Sequence, residues 1–407
     1  MKLLPKLPGP LARRLQERKR LRQANGYHFA IASRLRQLNP ADWEAVTARG
    51  SFFFSADYLT LLEQAGPDNL EPRYALISDD ERPLAAVCMQ IVRVSLNQLG
   101  QPADSKLKDK LAQRILVCGN LLSYGMHAVC FAPDVDPAAV WPAVAEALYR
   151  VRRAEKIAGQ TNIVLIKDLP ELHRQQSAAL AGLSYAAVET EPNMVLSLGA
   201  DIGSYADYLA SLTSKYRSAI KQQVMKPFEA AGFAIRPIDQ PEALRERLQA
   251  LYLQVHGNAS LRPFTLNDDY WPALQAAAGE RLVIHGAFQG DTLHGFIATL
   301  KDGDTAYAYH IGFDREVARS GIPLYLRLLH ASLAQSLDFG CRRISFGRTA
   351  LEPKARLGCE PETIHVWVRH RQPMLNQFIR PLLRFIQHEE APEFSPFKRS
   401  SSEGVSV

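Results

Sequence analysis

The chain has 407 residues, of which 47% are hydrophobic and 22% charged, with a formal charge of +6. That balance excludes a disordered chain, a collagen-like repeat and a disulfide-stapled miniprotein, and at about 100–200 residues per domain it leads us to expect two or three domains. The charge is uneven: residues 1–26 carry Lys2, Lys6, Arg13, Arg14, Arg18, Lys19, Arg20 and Arg22 against Glu17 alone, so this arm holds +7 and the rest of the chain −1. A wholly basic nucleic-acid-binding body is therefore excluded. The arm reads either as a solvated extension or as a surface for anionic lipid or RNA. Five scattered cysteines without a CxxC pair, and no His at metal-ligand spacing, argue against a zinc site or disulfide framework. With no long apolar run at the start or elsewhere, a cytoplasmic protein is expected, peripheral to a membrane if the arm engages one.

From residue 27 short strands and helices alternate. A strand is predicted over 28–35 and a helix over 40–48, with Asn39 as its cap; Ser55 caps a second helix over 56–64. Paired strands over 74–77 and 84–94 flank a polar turn, and strands over 115–118 and 127–131 follow. A long helix from 136 to about 157 places Val140, Val144, Leu148 and Val151 on one stripe. A strand over 162–166, a helix over 172–181 and a strand over 194–198 close the first half. A similar order then recurs: a long helix over 204–230, a strand over 233–237, a helix over 241–255, and a meander over 282–289, 292–300 and 306–313. A helix over 322–337, strands over 343–346 and 363–369 and a helix over 374–386 complete it. The join falls near 199–203, and a Ser/Pro-rich tail from about 389 reads as disordered.

The densest chemistry lies between Tyr309 and Glu360. The strand ending in Tyr307-Ala308-Tyr309-His310 runs into a polar loop over 314–319. Ser320-Gly321-Ile322-Pro323 then opens a helix, with Ser320 placed to cap it. Free N–H groups at such a start can hold an anion, with Arg319 beside them. On a regular strand Tyr307 and Tyr309 share one face and His310 points to the other. Further on come Phe346-Gly347-Arg348 and Pro353-Lys354-Ala355-Arg356-Leu357-Gly358.

This strand–loop–helix–strand order, with a glycine at the helix mouth, resembles the GNAT acyltransferase superfamily. Phe346-Gly347 and Pro353-Lys354-Ala355-Arg356-Leu357-Gly358 resemble paired elements of its doubled, FemAB-like branch, with Pro and Leu replacing the aromatics of a Phe-Lys-x-x-Phe-Gly-like element. The resemblance covers about residues 203–371 and implies a role for each matching residue. Lys354 is implied to stabilise negative charge on the acyl carbonyl, as a fixed cation can. Lys215, Arg217 and Lys221, in an acid-free stretch of helix whose Leu209, Leu212, Tyr216 and Ile220 face the core, are implied to bind anionic substrate groups. Arg262, in a loop ahead of an aromatic pair, and Arg348 join them as substrate-binding candidates. Arg319, Ser320 and Gly321 are the donor-facing candidates, although the glycine-rich pyrophosphate loop is reduced to one shifted glycine. Tyr309 and His310, near the end of the central strand, are catalytic candidates, His310 as a general base.

The expected architecture is α/β: two tandem GNAT-like lobes, each a twisted mixed sheet flanked by helices, over 27–198 and 199–388, between an arm (1–26) and a tail (389–407). The expected activity is N-acyl transfer from acyl-CoA or aminoacyl-tRNA, without a metal, to an amine on a small molecule or cell-envelope precursor. The site is expected in the cleft between the lobes. The rival reading is a noncatalytic, degenerate GNAT-like binding or scaffold protein.

Overall fold

Apolar side chains run almost unbroken along central strands such as Pro83–Val94 and Thr292–Asp302, so that both sides of one sheet are buried, and the helices between them supply the cover. The computed structural model describes residues 16, 26–95, 113–258, 262–372, 374–376 and 391–398. The arm's basic side chains and most of the helix predicted over 374–386 lie outside the described residues.

The first half contains β1 (His28–Ala32), β2 (Leu70–Ser78), β3 (Pro83–Val94), β4 (Gln113–Cys118), β5 (Val129–Phe131), β6 (Thr161–Pro170) and β7 (Ala186–Ser197). The second contains β8 (Phe233–Pro237), β9 (Leu282–Gln289), β10 (Thr292–Asp302), β11 (Thr305–Phe313), β12 (Arg343–Ser345) and β13 (Glu360–His370). The sheets of the two lobes join edge to edge into one continuous sheet. Its order is β1-β2-β3-β4-β6-β13-β7-β12-β11-β10-β9-β8, with β5 beside β3. Each half contributes four antiparallel strands and a fifth that joins in parallel, β6 on β4 and β12 on β11. The last strands are exchanged: β13 pairs with β6, and β7 pairs with β12. The boundary at 198/199 therefore divides the sequence but not the sheet.

One face carries a core shared by both halves. Trp43, Phe53, Tyr58 and Leu62 of the first half pack with Leu251, Tyr270, Trp271 and Leu274 of the second. On the other side, Val144 and Leu148 of the helix Pro137–Ala154 cover the first half, on the stripe that the sequence predicts. The helices Tyr205–Ser211 and Leu324–Asp338 cover the second.

The helix predicted over 204–230 is broken. Leu212 is extended and bridges Phe397, and a second helix (Ser214–Ala219) runs into a π-helical turn, Ile220–Met225. Leu209, Leu212, Tyr216 and Ile220 still enter one core. The bridge also corrects the tail. The Thr213 and Lys398 amides donate to Pro396 and Ser211 carbonyls, so residues 391–398 are seated on the second half.

Candidate active site at the splayed strands

The parallel pairing of β11 with β12 covers only Thr305–Tyr307 against Arg343–Ser345. Beyond it β11 continues to Phe313, while the chain leaving β12 turns through Phe346, Gly347 and Arg348 into the short helix Leu351–Ala355. The two strands thus part beyond Tyr307 and Ser345.

Lys354 lies on that short helix, among Leu351, Ala355, Leu357 and Cys359 of the second half's core. It is 3% exposed. Its ammonium has no hydrogen bond or ion pair among the described residues. Burial pushes it down to about 8, with Cys359 and Glu191 acting weakly in the opposite direction. An ammonium largely covered yet without a partner in the fold is a group free to meet a ligand.

Tyr309 and His310 are elsewhere. The β10–β11 register steps from Ala298↔His310 to Thr299↔Ala308, which leaves Tyr309 as the extra residue of a β-bulge. A bulge re-aims side chains, and here it puts Tyr309 and His310 on the same face, correcting the alternation that the sequence predicts. Ala308, Ile311 and Phe313 pack on the other face. The Tyr309 hydroxyl shares hydrogen bonds with Tyr58 (2.8 Å) and Tyr270 (3.1 Å), and His310 Nε2 lies 3.4 Å from the Tyr270 hydroxyl. Asn120 Nδ2 donates to the Tyr58 hydroxyl at 2.7 Å, carrying the network into the first half. Burial pushes His310 down to about 3, so it is neutral at physiological pH and a poor proton acceptor. These residues join the halves through this network.

Arg348 is also redirected. Instead of standing free for substrate, it forms an ion pair with Asp168 of β6, which is fully buried. Lys167 Nζ lies 2.7 Å from the same carboxylate and donates to the Asn120 and Ser123 carbonyls at 2.7 and 2.8 Å. The Gly125 amide donates to Asp168 Oδ2 at 3.3 Å. Asp168 adopts φ = +60°, a left-handed conformation uncommon outside glycine. Together these contacts hold the first half's loop 119–128, whose Tyr124 reaches the second half. Its ring is so close to Gly347 (φ +75°) that a β-carbon there would sit 3.1 Å from it.

The remaining candidates spread outward. Lys215, Arg217 and Lys221 are exposed on the helix Ser214–Ala219 and the π-turn that follows, on the Lys354 side of the sheet. Arg262 is half-buried, donates to the Gly257 carbonyl at 3.3 Å, and belongs to the opposite, shared face. Ser320 does not cap the long helix. Residues 315–319 are themselves a helix capped by Asp314, and the Ser320 hydroxyl closes its end on the Val317 carbonyl at 2.7 Å. Gly321 (φ +98°) makes the turn into the helix Leu324–Asp338, and Arg319 is exposed beside it. Two clefts of about 480 and 660 Å³ around Phe52 and Arg281 contain none of these residues.

Residues 214–355 match the family model of the Acetyltransferase (GNAT) domain. The whole chain is similar in structure to FemX, with 11% identity, 84% of this chain and 98% of that chain covered, and a TM-score of 0.51. It is also similar to a tandem GNAT protein from the clavulanic acid biosynthesis pathway, with 12% identity, 85% and 99% covered, and a TM-score of 0.50. The chain thus contains a GNAT domain within a doubled, GNAT-like fold. No curated protein matches it in sequence. The matched segment runs from the helix Ser214–Ala219 through β8 to β12 and the Lys354 helix. Among the described residues no helix is long and apolar enough to cross a membrane, and no cluster of His, Cys, Asp or Glu could hold a metal.

Sequence reasoning missed Tyr124, Lys167 and Asp168. A signal was there for the last two: Lys167-Asp168 interrupts the apolar run Ile163-Val164-Leu165-Ile166, and charges inside a buried strand need partners.

Proposed function

We propose that this doubled GNAT protein is an N-acyltransferase, moving an acyl or aminoacyl group from an activated ester or thioester to an amine of a small molecule or cell-envelope precursor. One observation carries the reading: a largely buried, unpartnered ammonium, Lys354, on the short helix that follows β12 within the GNAT-matched segment. Attack by the amine nitrogen forms a C–N bond and puts negative charge on the carbonyl oxygen. Collapse breaks the C–S or C–O bond, the leaving group departs with the electron pair, and the nitrogen loses a proton. Lys354, charged at neutral pH and poorly solvated, favours the oxyanion, and a donor aimed at such charge is worth roughly 3–4 kcal/mol. Lys215, Arg217 and Lys221 offer an exposed cationic face for an anionic portion of either substrate. Arg319 and Gly321 border the start of the Leu324–Asp338 helix, where a donor's anionic group would meet free amides, although no glycine-rich cradle is built there.

The tandem GNAT protein was determined without AcCoA, and that thioester is the first donor to test here, with aminoacyl-tRNA second. Release of free thiol or deacylated tRNA is measured against an amine panel. Turnover is expected in the native chain and a fall of about 10²–10³ in kcat for Lys354→Ala at unchanged circular dichroism. Full turnover in Lys354→Ala rules out its role, and no turnover with either donor class favours a binding or scaffold protein.

A further inference from the structure

We propose that the first half completes the second half's site: Tyr124 is a wall against which substrate lies, and Lys167 and Asp168 are positioning residues that hold its loop in the parting of β11 and β12. This rests on the acyl-transfer reading above. The argument begins with what the loop touches. Tyr124 lies on Gly347 at the exit of β12, and Gly125 lies near the Tyr307 hydroxyl at the last paired residue of β11. The loop therefore sits where the two strands separate. Electrostatically the Tyr124 phenol is within reach of Arg348, of Tyr252 on the helix Arg245–His256, and of Tyr325 at the start of the helix Leu324–Asp338. Tyr252 belongs to the shared face and Tyr325 to the Lys354 face, so Tyr124 stands where both open onto one space. Tyr325 in turn feels Cys359, which feels Lys354.

Three polar tips border this space, the Lys354 ammonium and the Tyr124 and Tyr325 hydroxyls. None has a hydrogen-bond partner among the described residues, although all three side chains are largely covered. Polar tips that the fold leaves without a partner, and that remain reachable from outside, are free to take a polar ligand. The clamp explains how a loop can serve as a wall. Lys167 ties down two of its carbonyls, Asp168 takes its Gly125 amide, and the same carboxylate grips Arg348 beside Gly347. One strained, fully buried residue thus fixes both sides of the parting, the first half's loop and the second half's strand exit.

The test uses the full chain and four forms: native, Tyr124→Ala, Tyr124→Phe and Lys167→Met. Each is labelled briefly with acetic anhydride, and acetylation of Lys354 is read by peptide mass spectrometry as a ratio to the exposed Lys215. The ratio is expected to rise several-fold in Tyr124→Ala and Lys167→Met, and to stay native in Tyr124→Phe, which keeps the ring. Tyr124→Ala is also expected to raise KM for donor or acceptor about tenfold with a smaller change in kcat, the worth of one aromatic contact. A native labelling ratio in Tyr124→Ala overturns the proposal whether or not the protein transfers acyl groups. Native kcat/KM in an active Tyr124→Ala protein overturns it as well. A native chain without turnover in which the ratio rises as expected defeats the transfer reading and leaves the wall standing. Should Lys167→Met fail to fold, the two Tyr124 variants still decide.

Discussion

Lys354 carries a cost that its chemistry explains. A fall from the ordinary 10.5 to about 8 in a side chain 3% exposed corresponds to about 3 kcal/mol lost from stability at neutral pH. The sign follows from proton counting: between about 8 and 10.5 the unfolded chain holds a proton that the folded chain has released, so this penalty is complete below 8 and gone above 10.5. Lys354→Met is therefore expected to stabilise the fold by about 1–3 kcal/mol at pH 7 in urea unfolding, with the gain shrinking toward pH 10, while transfer is lost. A stability loss at pH 7 would mean that the ammonium has a partner in the fold. The lysine's place in a Lys-x-x-x-Gly stretch was legible in the sequence. Its burial was not, because nothing local tells a surface lysine from one covered by Cys359, Leu357 and the chain leaving β12. For Arg348 the sequence misleads: its neighbour Gly347 suggested a substrate role, whereas its partner, Asp168, is 180 residues away.

At the scale of the element, two departures from regularity position the site. The bulge at Tyr309 turns two side chains toward the first half, and strict alternation could not foresee it, since a bulge is set by pairing with β10 and by what the strand must reach. The second is Asp168, left-handed in the middle of β6. Asp168→Ala leaves two largely buried cations, Lys167 and Arg348, without their common anion, and is expected to cost about 3–5 kcal/mol in denaturant unfolding. Asp168→Asn, which tolerates the left-handed conformation and keeps the amide contact, should cost less. Equal losses would mean that the backbone conformation, not the charge, is what matters. The break at Leu212 has the same lesson. Helical periodicity placed Leu209, Leu212, Tyr216 and Ile220 correctly in the core, yet pairing of Leu212 with Phe397 interrupts the helix between them.

For the whole molecule the exchange of β7 and β13 is decisive. Neither half's sheet is closed off alone: β6 without β13 and β12 without β7 would expose buried strand edges, and the shared core of Tyr58, Tyr270 and Trp271 would be cut in two. Residues 27–198 expressed alone are expected to aggregate or lack a cooperative thermal transition, and to regain one only when co-expressed with residues 199–398. A cooperative, soluble 27–198 fragment would show that the halves fold separately. Composition and periodicity alone determined the α/β class, the recurrence of one element order and the helix stripes, because these depend on which residues are apolar and how they repeat; the lysine worth testing came from the family resemblance. Only the tertiary structure decided that two sequence halves share one sheet, that Tyr309 and His310 serve the junction, and that Lys167 and Asp168 hold a first-half loop against the exit of β12. Those are pairings between residues distant in the chain, and their free energy comes from burial and charge neutralisation that exist only after the chain has closed on itself.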